Sequence, residues 1–131
     1  MEQMEFLDAN AAALLPIQHL AWIGDAVYEL YSRQRLVVAG DTQPGKHAHR
    51  VSAAFTCAGG QAAAVARLGD FFSQQELDLL RRGRNAKGLP RNSAEYCQAT
   101  GLEVVVGWLW LSSQHSRLEQ LLQQSFDEGE G

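Results

Sequence analysis

Three residues on one stretch of this chain are of types that could do chemistry, at positions where helix packing alone would not ask for them. The stretch is Leu20-Ala21-Trp22-Ile23-Gly24-Asp25-Ala26-Val27-Tyr28-Glu29-Leu30. Leu20, Ile23, Val27 and Leu30 recur at the spacing of one apolar helix face, and Gln18, Asp25, Glu29 and Arg33 stack into a polar stripe. Trp22, three positions before Asp25 and four after Gln18, puts a large ring into that stripe. Gly24 costs about 1 kcal/mol relative to Ala inside a helix, which implies that something approaches the backbone beside the carboxylate.

A second acid stands out for its surroundings. Glu103 lies in Thr100-Gly101-Leu102-Glu103-Val104-Val105-Val106-Gly107-Trp108-Leu109-Trp110, apolar on both sides, so its helix belongs in the core. Left without a partner there, a carboxylate costs several kcal/mol or shifts its pKa far upward. An arginine partner, a captured proton or a metal ion would relieve it, and a Glu–Arg pair is the ordinary arrangement. If Asp25 faces Glu103 the balance changes, because two carboxylates in a core repel unless a cation lies between them. Carboxylate oxygens completed by water are the ligand set that Mg²⁺ prefers. Glu29, four residues after Asp25, is an accessory carboxylate whose simpler use is an ion pair with Arg33, about 0.3–0.5 kcal/mol at that spacing. The pair is favoured. His19, His47, His49 and His115 are scattered and are expected at the surface or in helix packing.

Positioning these acids requires helices, and only helices are legible. Pro16 suits the first turn of one that runs to about Val38, broken by Ala39-Gly40-Asp41. Thr42 with Pro44 opens a second, through His47, Arg50 and Val51 to about Cys57. Gly59-Gly60 interrupts it, and an alanine-rich helix follows to about Leu68. Ser73 with Glu76 is a capping box for a helix through Leu77, Leu79 and Leu80, and Gly88-Leu89-Pro90 forces a loop beyond it. Asn92 or Ser93 caps the helix that carries Tyr96, Thr100, Glu103, Gly107 and Trp110 along one side. Ser116 with Glu119 predicts a capping box for a last helix with Leu118, Leu121 and Leu122. No stretch alternates with period two for long. The expected fold is all-α, a single domain over residues 1–131 with its core at about 16–122, an acidic lead-in at 1–15 whose end docks on the core, and a frayed tail at 127–131.

Composition narrows the setting. Cys57 and Cys97 are too few for a disulfide framework and lack zinc-site spacing, which points to a reducing cytoplasm. No N-terminal stretch has the order of a secretory signal, and the apolar run from Val104 to Leu111 falls far short of the roughly 20 residues of a membrane span. No membrane partner is expected. The net charge of −4 hides a cluster: Arg81, Arg82, Arg84, Lys87 and Arg91 stand together with no acid between Asp78 and Glu95. Local field matters more to an anionic ligand than the sum, since exposed charges are screened beyond about 10 Å.

Leu20-Ala21-Trp22-Ile23-Gly24-Asp25-Ala26-Val27 resembles the ribonuclease III signature helix, usually LEFLGDAVL, and Thr100-Gly101-Leu102-Glu103-Val104-Val105-Val106-Gly107 resembles that family's second acidic segment, typically DxxEALIG. The compact length, Tyr28-Glu29-Leu30-Tyr31 and Arg82-Gly83-Arg84-Asn85-Ala86-Lys87 are similar to the Mini-ribonuclease III subgroup, over about residues 16–122. The resemblance implies a homodimeric, Mg²⁺-dependent endonuclease of double-stranded RNA, with Mn²⁺ able to substitute. It implies hydrolysis by metal-activated water to 5′-phosphate and 3′-hydroxyl ends, and trimming of the precursor of 23S ribosomal RNA. Asp25 then matches the catalytic aspartate, Glu103 the metal-binding glutamate, and Trp22 the aromatic that plugs a socket in the partner subunit. Two carboxylates of the signature are missing: Ala21 replaces a glutamate and Thr100, a further accessory candidate, replaces an aspartate. That thinner set favours one Mg²⁺ with several waters.

Arg81, Arg82, Arg84, Asn85, Lys87 and Arg91 are the candidate RNA contacts, of the types that reach phosphates and 2′-hydroxyls across the minor groove of A-form duplex. The double-stranded-RNA-binding module of the longer enzymes is expected to be absent. Two readings from other classes compete: a non-catalytic RNA-binding or ribosome-assembly protein on the same fold, and a helical interaction domain whose acids are paired with arginines. Retention of both Asp25 and Glu103 speaks against the first.

Overall fold

A computed structural model describes residues 4–40, 46–86 and 93–126. Seven helices make up these residues: α1 (Ala9–Ala13), α2 (Ile17–Ala39), α3 (Lys46–Thr56), α4 (Ala58–Leu68), α5 (Gln74–Arg84), α6 (Ala94–Leu111) and α7 (His115–Phe126), with a 3₁₀ turn at Gly69–Phe71 between α4 and α5. The all-α expectation holds, with no strand among the described residues.

The centre is α6. Leu102, Val104, Val105, Val106, Trp108 and Leu109 are all buried, and a helix apolar on every side must be enclosed on every side. Helices α2, α5 and α4 pack on it most extensively, with α1 and α7 completing the shell. Two of these crossings are backbone against backbone. A Cβ on Gly24 would stand 1.8 Å from the carbonyl oxygen of Glu103, and one on Gly107 2.0 Å from that of Leu20. A Cβ on Gly83 would stand 2.7 Å from the Cα of Gly101 in the α5–α6 crossing. The object that Gly24 admits is therefore α6.

That contact re-centres the buried stripe of α2. It runs Leu20, Gly24, Tyr28 and Ser32, four apart, whereas Leu30, expected on the apolar face, is 60% exposed. Ser32 is tolerated inside because its hydroxyl meets that of Ser52 at 2.8 Å. The helix ends at Gly40 in the left-handed region, φ 66°.

Two boundaries differ from expectation. The break between α3 and α4 falls at Cys57, whose Sγ accepts from the Gly60 amide, so Gly59 and Gly60 lie in the first turn of α4. Gly60 is pressed beneath α3, where a Cβ would come 2.3 Å from the Ala54 carbonyl oxygen. Helix α7 begins at His115, which makes Ser116 its second residue and not its cap. The chain leaves α6 through a left-handed Ser113, φ 59°, and this puts Gln114 before the first helical residue.

Other local expectations hold. Ser73 and Glu76 form the capping box of α5, and Ser93 caps α6. Buried Glu76 also takes both donor arms of Arg117, at 2.8 and 2.7 Å, joining α7 to α5. The lead-in docks as a helix: Asp8 caps α1, Ala12 is fully buried, and the Trp108 indole donates to the Ala9 carbonyl at 2.9 Å. The expected opening at Thr42 and Pro44, the Gly88–Pro90 loop, Asn92 and the 127–131 tail lie outside the described residues.

Candidate active site

The α2–α6 crossing brings the two acids together. Because the Gly24 backbone rests on the Glu103 carbonyl, the next residue of α2 meets the Glu103 side chain at the edge of the crossing. Asp25 is exposed and Glu103 half-buried. Their carboxyl groups come within hydrogen-bonding reach of each other. Burial, then the Asp25 charge and that contact, push Glu103 up to about 8. The alternative of a buried Glu103–arginine pair is not what α6 contains.

A residue absent from the sequence-based site completes it. Gln61, buried in the first turn of α4, donates through Nε2 to Glu103 Oε2 at 3.3 Å, which acts against the upward shift. Its signal was present: Gln61 is the one polar side chain between Ala58 and Val65.

The accessory acids and Thr100 are placed more loosely. Glu29 pairs with Arg33 at 3.7 Å, as favoured, while its charge still reaches Glu103. Thr100, one turn before Glu103, donates its hydroxyl to the Tyr96 carbonyl at 3.1 Å. His115 stacks on Trp110 at 4.7 Å between ring centroids and His19 is exposed, consistent with packing and surface roles. The side chains of His47 and His49 lie outside the described residues. Among the described residues no group of three or more His, Cys, Asp or Glu is arranged to hold a metal, and the carboxyl groups that meet here are those of Asp25 and Glu103.

The basic cluster ends α5, beside the second glycine crossing. Arg81 meets Asp78 at 3.7 Å, and Arg82 donates to the Ala13 carbonyl at 3.0 Å. Arg84 is half-buried, its stem against Gly101, two residues before Glu103 on α6. Asn85 is the C-cap of α5. Lys87 and Arg91 lie outside the described residues.

Trp22 projects from α2 at 76% exposure, three residues before Asp25. A separate apolar groove of about 860 Å³, lined by Val27, Leu30, Tyr31, Phe55 and Trp110 among others, contains neither carboxylate. No helix of the described residues is long and apolar enough to cross a membrane.

Residues 18–114 match the ribonuclease III domain. A Mini-ribonuclease 3 from Symbiobacterium thermophilum is 41% identical over 123 residues, spanning 91% of this chain and 93% of the relative. Another from a Thermoanaerobacter species is 37% identical, over 95% of this chain and 90% of the relative. The X-ray structure of a Fusobacterium nucleatum protein superposes with a TM-score of 0.68 at 24% identity, covering 79% of this chain and 85% of that one, and has the same fold.

Proposed function

Since the chain belongs to the ribonuclease III family, in its Mini-ribonuclease 3 group, and is an endoribonuclease, we propose that it hydrolyses double-stranded RNA with Mg²⁺ held by Asp25 and Glu103. The observation that carries this reading is the α2–α6 crossing, where the Gly24 backbone rests on the Glu103 carbonyl and brings the Asp25 and Glu103 carboxyl groups together. Two carboxylates held in contact repel when both are charged, and a divalent cation between them would relieve that repulsion. Oxygen donors alone, one or two carboxylates with water filling the shell, suit Mg²⁺, with Mn²⁺ as its substitute.

Bound there, Mg²⁺ supplies charge neutralisation at the phosphate and a nucleophile of lowered pKa. The protein's own part is placement. Glu103 anchors from the core side, and exposed Asp25 faces the substrate side. Arg84, packed beside the same turn of α6, and its basic neighbours hold the duplex backbone against the pair. The products carry a 5′ phosphate and a 3′ hydroxyl.

The same reading makes the enzyme a homodimer. Trp22 and Leu30, 76% and 60% exposed, leave apolar surface on the helix that bears the catalytic acid. The groove beside Leu30 is the seat for Trp22 of a second copy, and a two-fold pair presents two sites to opposite strands. Family resemblance supports a cytoplasmic enzyme that trims the 23S ribosomal RNA precursor.

Incubation with a long RNA duplex, in Mg²⁺ or in EDTA and beside Asp25→Asn, tests the central claim. Cutting should require both metal and Asp25. Loss of metal binding amounts to several kcal/mol of barrier, about a thousandfold in kcat. Duplex binding without cutting by the parent protein would replace the enzyme with an RNA-binding or ribosome-assembly role.

A further inference from the structure

Gln61 is a buried primary amide in an otherwise alanine-rich helix, and its donor goes to a carboxylate rather than to backbone. Burying an amide without a partner is costly, so the position was built around that contact. The turn that launches it is held from two sides. Cys57 Sγ caps the Gly60 amide, and Gly60 sits so tightly under the Ala54 carbonyl that no Cβ fits. A side chain leaving such a turn has little freedom, and it reaches across 42 positions of sequence to Glu103 Oε2.

Resting on the functional reading above, we infer that Gln61 is a positioning residue: its amide holds one oxygen of Glu103 so that the carboxylate is pre-set for a divalent cation shared with Asp25. Carboxylates that bind metals are themselves hydrogen-bonded, and loss of such a partner costs 10–100-fold in affinity or activity. Only an amide or similar donor serves here. A carboxylate in its place would have the same shape but accept where Glu103 also accepts, and would raise the charge of the fully ionised site from −2 to −3 for Asp25, Glu103 and residue 61. The neutral amide thus fits a site for one divalent ion.

Two variants of the full chain test this, Gln61→Met, which keeps the bulk without the N–H, and Gln61→Glu, which keeps the shape and replaces the donor with an acceptor. Each is measured for Mn²⁺ affinity by the electron paramagnetic resonance of free Mn²⁺, for thermal unfolding in EDTA and in Mn²⁺, and for kcat and KM on an RNA duplex. Gln61→Met should bind Mn²⁺ about 10–100-fold more weakly. Its kcat should fall at limiting Mg²⁺ and recover at high Mg²⁺, with KM for duplex unchanged. Gln61→Glu should unfold earlier in EDTA and gain more from Mn²⁺ than the parent gains. A folded Gln61→Met with parental Mn²⁺ affinity and kcat overturns the inference, whatever its unfolding temperature, because a purely structural glutamine moves stability alone. If Gln61→Met does not fold, a Gln61→Glu that gains no more from Mn²⁺ than the parent overturns it. A parent that neither binds Mn²⁺ nor cuts duplex fails the functional reading instead, and the role of Gln61 falls with it.

Discussion

Helix α6 carries two glycine crossings, and they serve opposite charges. At Gly24–Gly107 the backbones of α2 and α6 touch, and two carboxyl groups are forced to meet. At Gly83–Gly101, nearly two turns nearer the start of α6, the contact delivers the arginine-rich end of α5. The acids are left in conflict with each other, whereas Arg81 and Arg82 already have partners in Asp78 and the Ala13 carbonyl. On the proposed reading a cation would relieve the repulsion between the acids, whereas groups that touch a long polyanion can be tethered, since each contributes one contact among several.

The first crossing should therefore be far less tolerant. In Gly24→Ala the new methyl would overlap the Glu103 carbonyl oxygen, 1.8 Å away, and neither partner is a side chain that can swing aside. Overpacking of well-packed elements costs typically 1–3 kcal/mol and occasionally more, and the upper end is expected here, with duplex cleavage lost even where folding survives. Gly83→Ala meets a Cα at 2.7 Å and a Val104 methyl at 3.0 Å, can relax by a small slide of α5, and should keep most activity. Thermal unfolding and cleavage assays on both variants rank the crossings, and an equal or milder effect at Gly24 would contradict the assignment.

The conflict between the acids has its own signature in pH. Glu103 is raised from 4.5 to about 8 in the folded protein. Between those values the folded state binds more protons than the unfolded chain, so stability falls as pH rises through that window. Without metal, the unfolding temperature should drop between about pH 5 and 8. Saturating Mg²⁺ should flatten that slope by taking the proton's place, and Glu103→Gln should remove most of it in EDTA. A slope that is the same with and without Mg²⁺ would mean that no cation enters the pair.

How much of this was legible in the sequence follows from the range of the forces involved. Caps act within one turn, so the Ser73–Glu76 box and the Ser93 cap could be read directly. Gly24 and Asp25 were conspicuous as misfits, and the misfit was the tertiary contact itself. What could not be read depended on partners distant in sequence. Leu30 looked buried until the α6 backbone took the face centred on Gly24, and Ser116 looked like a cap until Ser113 turned the chain and α7 began two residues earlier than expected. Gln61 carried a weak signal, one amide among alanines. Its meaning required knowing that α4 faces Glu103.

The basic end of α5 should show the smallest effects, and they should differ between its arginines. Arg84 has its stem against Gly101 and, among the described residues, no ion pair to give up, so on the proposed reading its guanidinium is free to meet phosphate near the acids. Arg84→Ala should raise KM for duplex RNA modestly and lower the magnitude of the salt slope of binding by about one, the share of a single phosphate contact. Arg82 also anchors α1 through the Ala13 carbonyl, so Arg82→Ala should lower the unfolding temperature where Arg84→Ala leaves it nearly unchanged. Titrating binding across a salt series while following unfolding separates the two. If Arg84→Ala leaves the salt slope untouched, the duplex lies elsewhere, and the second crossing is a structural counterpart of the first rather than its substrate-holding complement.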